Sequence, residues 1–103
     1  MSETRLFAVI RTHGGAWKPG VPVEQQFDWR GHAAFMDKLH EEGFVVLAGP
    51  LEGSEDALIV VRAQDPEEIR RKLEWESWTA NDLMRTTRVA PWNLRLGSLG
   101  PAN

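Results

Sequence analysis

Three short stretches of the chain are apolar without alternation: residues 6–11 (LFAVIR), 44–48 (FVVLA) and 57–61 (ALIVV). Continuous apolar runs of this length are typical of strands that are buried on both faces. The turn-rich sequence GPLEGSED separates the second run from the third, so we expect these two strands to form a hairpin. A last strand is predicted over residues 86–96. It contains Pro91, which cannot donate to a strand ladder, so the strand should be an edge strand or be bulged there.

The segment between the first and second predicted strands has the hydrophobic period of a helix. Asp28 is the N-cap candidate, and Gly43 fits the C′ position that ends a helix. Four residues recur at i, i+3, i+4 and i+7 and should form the inward face: His32, Phe35, Met36 and Leu39.

A second helix is predicted to begin in the sequence DPEEIRRKL. Asp65 is the expected cap, Pro66 occupies the first helical position, and Glu68 completes a capping-box arrangement. Ile69 and Leu73 should then face inward.

The element order is β-α-β-β-α-β, which predicts a ferredoxin-like α+β protomer with an antiparallel sheet. Both helices of this arrangement cover the same face of the sheet, yet three of the strands are apolar on both faces. The uncovered apolar face predicts a symmetric homodimer in which two sheets pack together. We expect one domain at residues 1–97 and a loose C-terminal tail at residues 98–103.

Composition excludes several classes of function. The chain has 103 residues, 42% of them hydrophobic, which suits one domain. A net charge of −3 argues against nucleic-acid binding, which needs clustered lysine and arginine. There is no cysteine, as is common in the reducing cytoplasm, and therefore no thiolate nucleophile. The N-terminal sequence does not resemble a signal peptide and no apolar run has the length of a bilayer span, so we expect a cytoplasmic protein without a membrane partner.

Residues 13–26 (HGGAWKPGVPVEQQ) form a long connection with three glycines and two prolines. Such a connection is typical of a binding loop, a lid or mobile surface. It lacks the G-K-[ST] ending of a phosphate-binding loop, and the chain contains no G-x-S-x-G nucleophile motif. The five tryptophans of the chain should line a core, a pocket or an interface.

His32 is the main candidate for chemistry, because it takes a core position on an apolar helix face. A buried imidazole without hydrogen-bond partners costs roughly 1–3 kcal/mol, so a purely structural histidine would need partners for its ring nitrogens. His40 lies about 12 Å further along the same helix, too far for one metal ion to bind both histidines. We expect no metal site and no cofactor.

The sequence WRGHAAFMDKLHEEGFVVLAGPLEG, followed by ALIVVRAQDPEEIRRKL, ESW and VAPWNLRLG, resembles the YCII-related family of the dimeric α/β-barrel superfamily. The resemblance extends over residues 7–97 and implies a ferredoxin-like protomer, a homodimer that forms a dimeric α/β barrel, and a pocket in which a helix histidine faces an acid. The residues that match the family pattern are His32, Gly49, Pro50, Trp78, Pro91 and Trp92. The departure is at ESW, where relatives have Asp-Pro-aromatic and this chain has Glu76 and Ser77. Loss of the proline should leave the carboxylate less firmly held.

The resemblance implies a cofactor-independent enzyme of lyase, isomerase or dehalogenase type that acts on a small organic substrate. His32 would be the general base and Glu76 would orient it. Four residues would bind the substrate: Trp78, Trp92, Gly49 and Pro50. The alternative is a non-catalytic dimeric protein that binds a small metabolite in the same cleft, and a third possibility is an oxygenase without a cofactor.

Overall fold

The structure, a computed structural model, describes residues 3–99. Four strands and three α-helices follow one another in this part of the chain: β1 (Arg5–His13), α1 (Trp29–Glu41), β2 (Val45–Pro50), β3 (Asp56–Ala63), α2 (Pro66–Glu74), α3 (Ser77–Ala80) and β4 (Met84–Pro91). A short 3-10 helix, Val23–Gln25, lies in the connection between β1 and α1. The sheet has the order β2-β3-β1-β4, and every neighbouring pair is antiparallel. The predicted ferredoxin-like α+β fold is thus confirmed.

The last strand begins earlier and ends earlier than predicted. It occupies Met84–Pro91 instead of residues 86–96. The proline explains the early end, because it has no N–H, and the Trp92 N–H makes the following bond to the carbonyl oxygen of Leu6. As expected for a strand that contains proline, β4 lies at an edge of the sheet.

The helix boundaries follow the predicted caps. The Asp28 side chain accepts a hydrogen bond from the Gly31 N–H, and Gly43 has the positive φ of 84° that a C′ glycine adopts. At the start of α2, Asp65 accepts the Glu68 N–H at 2.8 Å. The Glu68 carboxylate accepts the N–H of Gln64 instead of that of Asp65, so the reciprocal bond falls one residue before the cap.

The main core lies between the helices and one face of the sheet. Strand residues of one parity, such as Val9, Ile59 and Val61, pack in one buried cluster with residues of both long helices, including Leu39 and Ile69. Both helices therefore cover the same face, as the βαββαβ order predicts.

Strand residues of the opposite parity form the second face of the sheet, which we call the open face. Ala8, Ile10 and Leu58 lie on it and are only partly buried, and Leu47 is 54% exposed. An apolar sheet surface of this kind is the feature from which the sequence predicted a dimer.

The sequence also led to predictions about membrane-spanning helices and about the C-terminal tail. In the described range, residues 3–99, no helix is both long enough and apolar enough to cross a bilayer. Of the predicted tail at 98–103, only residues 98 and 99 are described, and neither belongs to a helix or strand. Residues 100–103 lie outside the described range.

Candidate functional site

His32 and Glu76 form a hydrogen-bonded pair. His32 lies in the first turn of α1, Glu76 lies directly before α3, and the His32 Nδ1 is 2.9 Å from the Glu76 Oε2. The glutamate side chain is fully buried and the histidine side chain is 17% exposed. The two residues that the sequence suggested as a catalytic pair are therefore in direct contact, with the imidazole as the more accessible partner.

Glu76 is held in place as the N-cap of α3. Its Oε2 accepts the backbone N–H of Trp78 at 2.8 Å, and the same oxygen faces His32. The capping bond satisfies one of the unpaired donors at the start of the helix and fixes the direction of the carboxylate. Glu76 is thus firmly held without a proline at position 77, because its side chain is tied to the backbone that it caps.

Arg11 of β1 supplies a second charge beside Glu76. Its guanidinium is 2% exposed, and its Nη1 lies 3.8 Å from the Glu76 Oε1, close enough for an ion pair but beyond a hydrogen bond. The Nη2 group donates to the Thr79 Oγ1 at 2.7 Å and to the Met84 carbonyl oxygen at 3.3 Å. Burial lowers the pKa of Arg11, and the negative charge of Glu76 opposes that shift.

Two polar atoms of this cluster are buried without a hydrogen-bond partner among the described residues, namely the Arg11 Nε and the Glu76 Oε1. An unpaired buried donor or acceptor is unfavourable by roughly 1–3 kcal/mol, so such atoms are uncommon in folded proteins. The ion pair, together with the hydrogen bonds of Arg11 Nη2 and Glu76 Oε2, compensates for burying these two side chains.

Tryptophans enclose the histidine. The Trp78 ring stacks on the His32 imidazole with centroids 3.7 Å apart and planes 4° from parallel. The Trp78 indole N–H donates to the Phe27 carbonyl oxygen, which fixes the plane of the stack. Trp29 lies 6.0 Å from the imidazole, and Trp17 meets Trp78 edge-on at 5.4 Å. One face of His32 is therefore covered by an aromatic ring, and its orientation is fixed by both stacking and hydrogen bonding.

The long connection between β1 and α1 passes this aromatic group and is anchored there. Trp17 stacks on His13 at a centroid distance of 3.8 Å. The buried amide of Gln26 bonds the Lys18 N–H, the Lys18 carbonyl and the Val21 carbonyl at 2.8 to 3.0 Å. These contacts give the connection a defined conformation in which its aromatic residue contacts the site.

The start of the same connection is tied to the turn before β4. The Gly14 N–H donates to the Leu83 carbonyl oxygen, and the Gly15 N–H donates to the Asp82 carboxylate. A Cβ on Gly14 would lie 2.3 Å from the Asp82 carbonyl oxygen, a distance that only glycine avoids. Glycine is thus required at position 14 because two backbone segments approach closely.

The four predicted substrate-binding residues do not all lie together. Trp78 contacts His32, and Pro50 pairs across the sheet with Ala57, which packs on the cluster that contains Trp78. Gly49 is exposed and has open space beside it. Trp92 is 39% exposed and follows the β4 residue that pairs with Phe7.

Trp92 is therefore separated from His32 within one chain. Its N–H bonds to Leu6, whereas Arg11 marks the part of β1 that lies beside the site. Five residues of a strand span roughly 17 Å, so Trp92 and His32 are near opposite ends of β1. Within one chain, Trp92 is not beside His32, and its role in the same pocket stays a prediction.

A groove of about 460 Å³ lies between α2 and β4, a volume in the range of small-molecule sites. Its apolar lining includes Leu73 and Val89, and the Thr79 side chain that bonds Arg11 also lines it. His32 is not part of its lining. The groove is thus distinct from the surroundings of the imidazole, and Thr79 both lines it and bonds to Arg11.

Sequence reasoning missed Arg11 and Trp29 as members of the site. Arg11 stands at the end of an apolar run and shares a strand face with Phe7 and Val9, which are four and two positions before it. A charged residue at the inward position of a buried strand was the available signal. Trp29 precedes His32 by three positions on the helix, a spacing that places two side chains side by side.

The geometry suits proton transfer. The His32 Nε2 has no hydrogen-bond partner within residues 3–99, while Nδ1 is bound to the carboxylate, which is the arrangement of an oriented general base. Among the described residues no group of three or more histidine, aspartate or glutamate side chains is placed to hold a metal ion. Comparison with family models and with curated proteins found no match to this chain.

Proposed function

We propose that the protein is a cofactor-independent enzyme of lyase, isomerase or dehalogenase type that acts on a small organic molecule. The observation that carries the proposal is the 2.9 Å contact between the His32 imidazole and the buried Glu76 carboxylate. The motif resemblance to the YCII-related family supports it, because that family implies an acid opposite a helix histidine.

Glu76 has the role of orienting the base. Its Oε2 accepts the His32 Nδ1–H, which leaves the lone pair of Nε2 to take a proton from the substrate. Positive charge that develops on the imidazole is then stabilised by the carboxylate at 2.9 Å. Proton transfer by a positioned side chain contributes about 10²–10⁴-fold to a rate, so this pair alone accounts for part of an enzyme's rate enhancement.

A second copy of the chain is proposed to cover the open face of the sheet. Ile10, Leu58 and the exposed Leu47 lie there, and apolar surface of this kind is unfavourable in water. A dimer of stacked sheets would also place Trp92, which lies far from His32 in its own chain, next to a partner. We place this homodimer in the cytoplasm, in keeping with the absence of cysteine from the sequence.

The second candidate function is binding of a small metabolite without catalysis. The groove between α2 and β4 favours it, since its volume suits a small molecule and its lining does not include the histidine. In this case His32 has a structural role, in which its Nδ1 is bonded to Glu76 and its ring packs on Trp78.

The rate at which the His32→Gln variant converts a ligand distinguishes catalysis from binding without catalysis. Thermal-shift screening of lactones, halogenated lactones and β-keto acids identifies ligands, and proton NMR in D₂O then detects their conversion or deuterium exchange. We expect His32→Gln to lower the rate by about 10²–10⁴-fold while ligand binding is retained. The matched control is His40→Gln, because His40 is exposed and its Nδ1 contacts only the Val45 carbonyl oxygen. A ligand that is converted equally by His32→Gln and the control would overturn the catalytic proposal.

A further inference from the structure

Three neighbouring side chains, Arg11, Glu76 and His32, form a row that begins in the core and ends at the accessible imidazole. Arg11 lies 3.8 Å from one oxygen of Glu76, and His32 lies 2.9 Å from the other. Arginine and glutamate are 2% and 0% exposed, so water screens this part of the row very little. The charge on one end must therefore influence the charge on the other.

The Arg11 guanidinium balances Glu76 without help from the histidine. Guanidinium groups remain protonated in proteins, so Arg11 and Glu76 together carry no net charge. A neutral His32 leaves the cluster neutral, while an imidazolium adds one uncompensated positive charge. If Arg11 were absent, the buried carboxylate would have His32 as its single neighbouring cation, and protonation of His32 would be favoured.

The other charged and titratable groups near His32 do not replace Arg11. From α3 the neighbouring group is Glu76, and from β1 it is Arg11, with His13 separated from His32 by Trp17 and Trp78. On α1 itself the nearby groups are Asp28, which is the exposed N-cap, and the exposed Arg30.

We propose that Arg11 is a positioning residue that keeps His32 in its neutral, Nδ1–H form, so that the resting site accepts a proton instead of donating one. This inference rests on the proposed function, in which His32 is the base. The anchors of Arg11 fit the role: its Nη2 is bonded to Thr79 and to the Met84 carbonyl, which hold the guanidinium beside the carboxylate.

Charge and electrons are conserved when His32 takes a proton and later returns it. As the Nε2 lone pair of His32 forms a bond to the substrate proton, the electron pair of the broken bond stays on the substrate. The cluster changes from neutral to a charge of plus one while the substrate gains one negative charge, so an ion pair forms across the new hydrogen bond. Return of the proton to the substrate or product restores the neutral cluster.

The test is a pH titration of the histidine side chains by long-range ¹H–¹⁵N NMR, with no substrate present. In Arg11→Met the midpoint for protonation of His32 should rise by about one pH unit or more, a tenfold change in the equilibrium. In Arg11→Lys, which keeps the charge, it should stay close to the wild-type midpoint. His13 and His40 serve as internal references, and their midpoints should not move.

An unchanged His32 midpoint in Arg11→Met, or the same rise in Arg11→Lys, would overturn the inference. Should Arg11→Met fail to fold by circular dichroism, Arg11→Gln tests the same coupling, because it removes the positive charge and keeps a polar amide in the place of the guanidinium. A rise of the midpoint in Arg11→Gln supports the role of Arg11, and an unchanged midpoint contradicts it.

Failure of this inference and failure of the proposed function give different results. A midpoint that rises in a protein with no turnover would leave the charge coupling intact and refute the enzyme. An unchanged midpoint, in a protein whose turnover is lost in His32→Gln, would refute the role of Arg11 and leave the enzyme intact.

Discussion

Replacing Glu76 by glutamine is the most informative single perturbation of the buried cluster. The change preserves the shape of the side chain, and the amide oxygen can still accept the Trp78 N–H that glutamate accepts at 2.8 Å. It removes the negative charge that lies 3.8 Å from Arg11. The variant therefore isolates the charge from the capping bond.

The expected loss of stability follows from burial. Arg11 is 2% exposed and would be left without a counter-charge, and breaking a buried ion pair in this way destabilises proteins by about 3–5 kcal/mol. We expect the lower end, about 3 kcal/mol, because the capping bond survives in the variant. Domains are stable by about 5–15 kcal/mol, so the variant should lose a large fraction of its free energy of unfolding.

Urea denaturation followed by tryptophan fluorescence measures this loss, since Trp78 is buried on the histidine. The midpoint for Glu76→Gln should fall by at least about 1 M urea. The matched control is Glu67→Gln, because Glu67 also pairs with an arginine, Arg70, but both side chains are exposed and the pair should contribute nothing measurable.

A Glu76→Gln midpoint equal to that of the control would contradict this expectation. A double-mutant cycle adds a second check: Arg11→Met combined with Glu76→Gln should be less destabilised than the sum of the single variants, because the second change removes the charge that the first leaves unpaired. Additive losses would show that the ion pair does not couple the two residues.

Three further predictions concern other parts of the chain. Gly14→Ala should destabilise by about 1–3 kcal/mol in urea denaturation, since its Cβ would lie 2.3 Å from a carbonyl oxygen, whereas Gly49→Ala has open space and should not; equal midpoints would contradict this. The Arg85 bond lowers the pKa of Asp82 from 3.8 to about 2, so its stabilising effect should be present above pH 3.8 and be lost as the pH falls through 2. The difference in urea midpoint between wild type and Asp82→Asn measures this stabilising effect. A difference that grows as the pH falls would contradict the prediction. Leu58→Asp places a charge on the open face and should convert the proposed dimer into a monomer, which light scattering detects. A wild-type protein that is monomeric at micromolar concentration would refute the dimer.

Much of the fold could be predicted because its signals are local. The run at residues 57–61 lies inside β3, and the caps at Asp28 and Asp65 are those that the sequence indicates. The end of β4 was predicted too late, because the residues after Pro91 are apolar enough to continue a strand pattern although the ladder does not continue.

Less of the candidate site could be predicted from the sequence, because the site depends on contacts between segments that are distant along the chain. The single turn of α3 has no hydrophobic period, so nothing in the sequence shows that Glu76 caps a helix. The contribution of Arg11 depends on strand pairing that brings β1 beside that cap. The family resemblance suggested the partner of His32, but local pattern alone does not reveal which buried cation stands behind it.

In the proposed site, Glu76 holds the His32 imidazole with Nδ1 protonated and Nε2 free to accept a proton. Long-range ¹H–¹⁵N spectroscopy of the wild-type protein, well above the ordinary histidine pKa of about 6.5, reports which ring nitrogen carries the proton. We expect the Nδ1–H tautomer for His32, with loss of that preference in Glu76→Gln. A neutral His32 that carries its proton on Nε2 in the wild-type protein would contradict it.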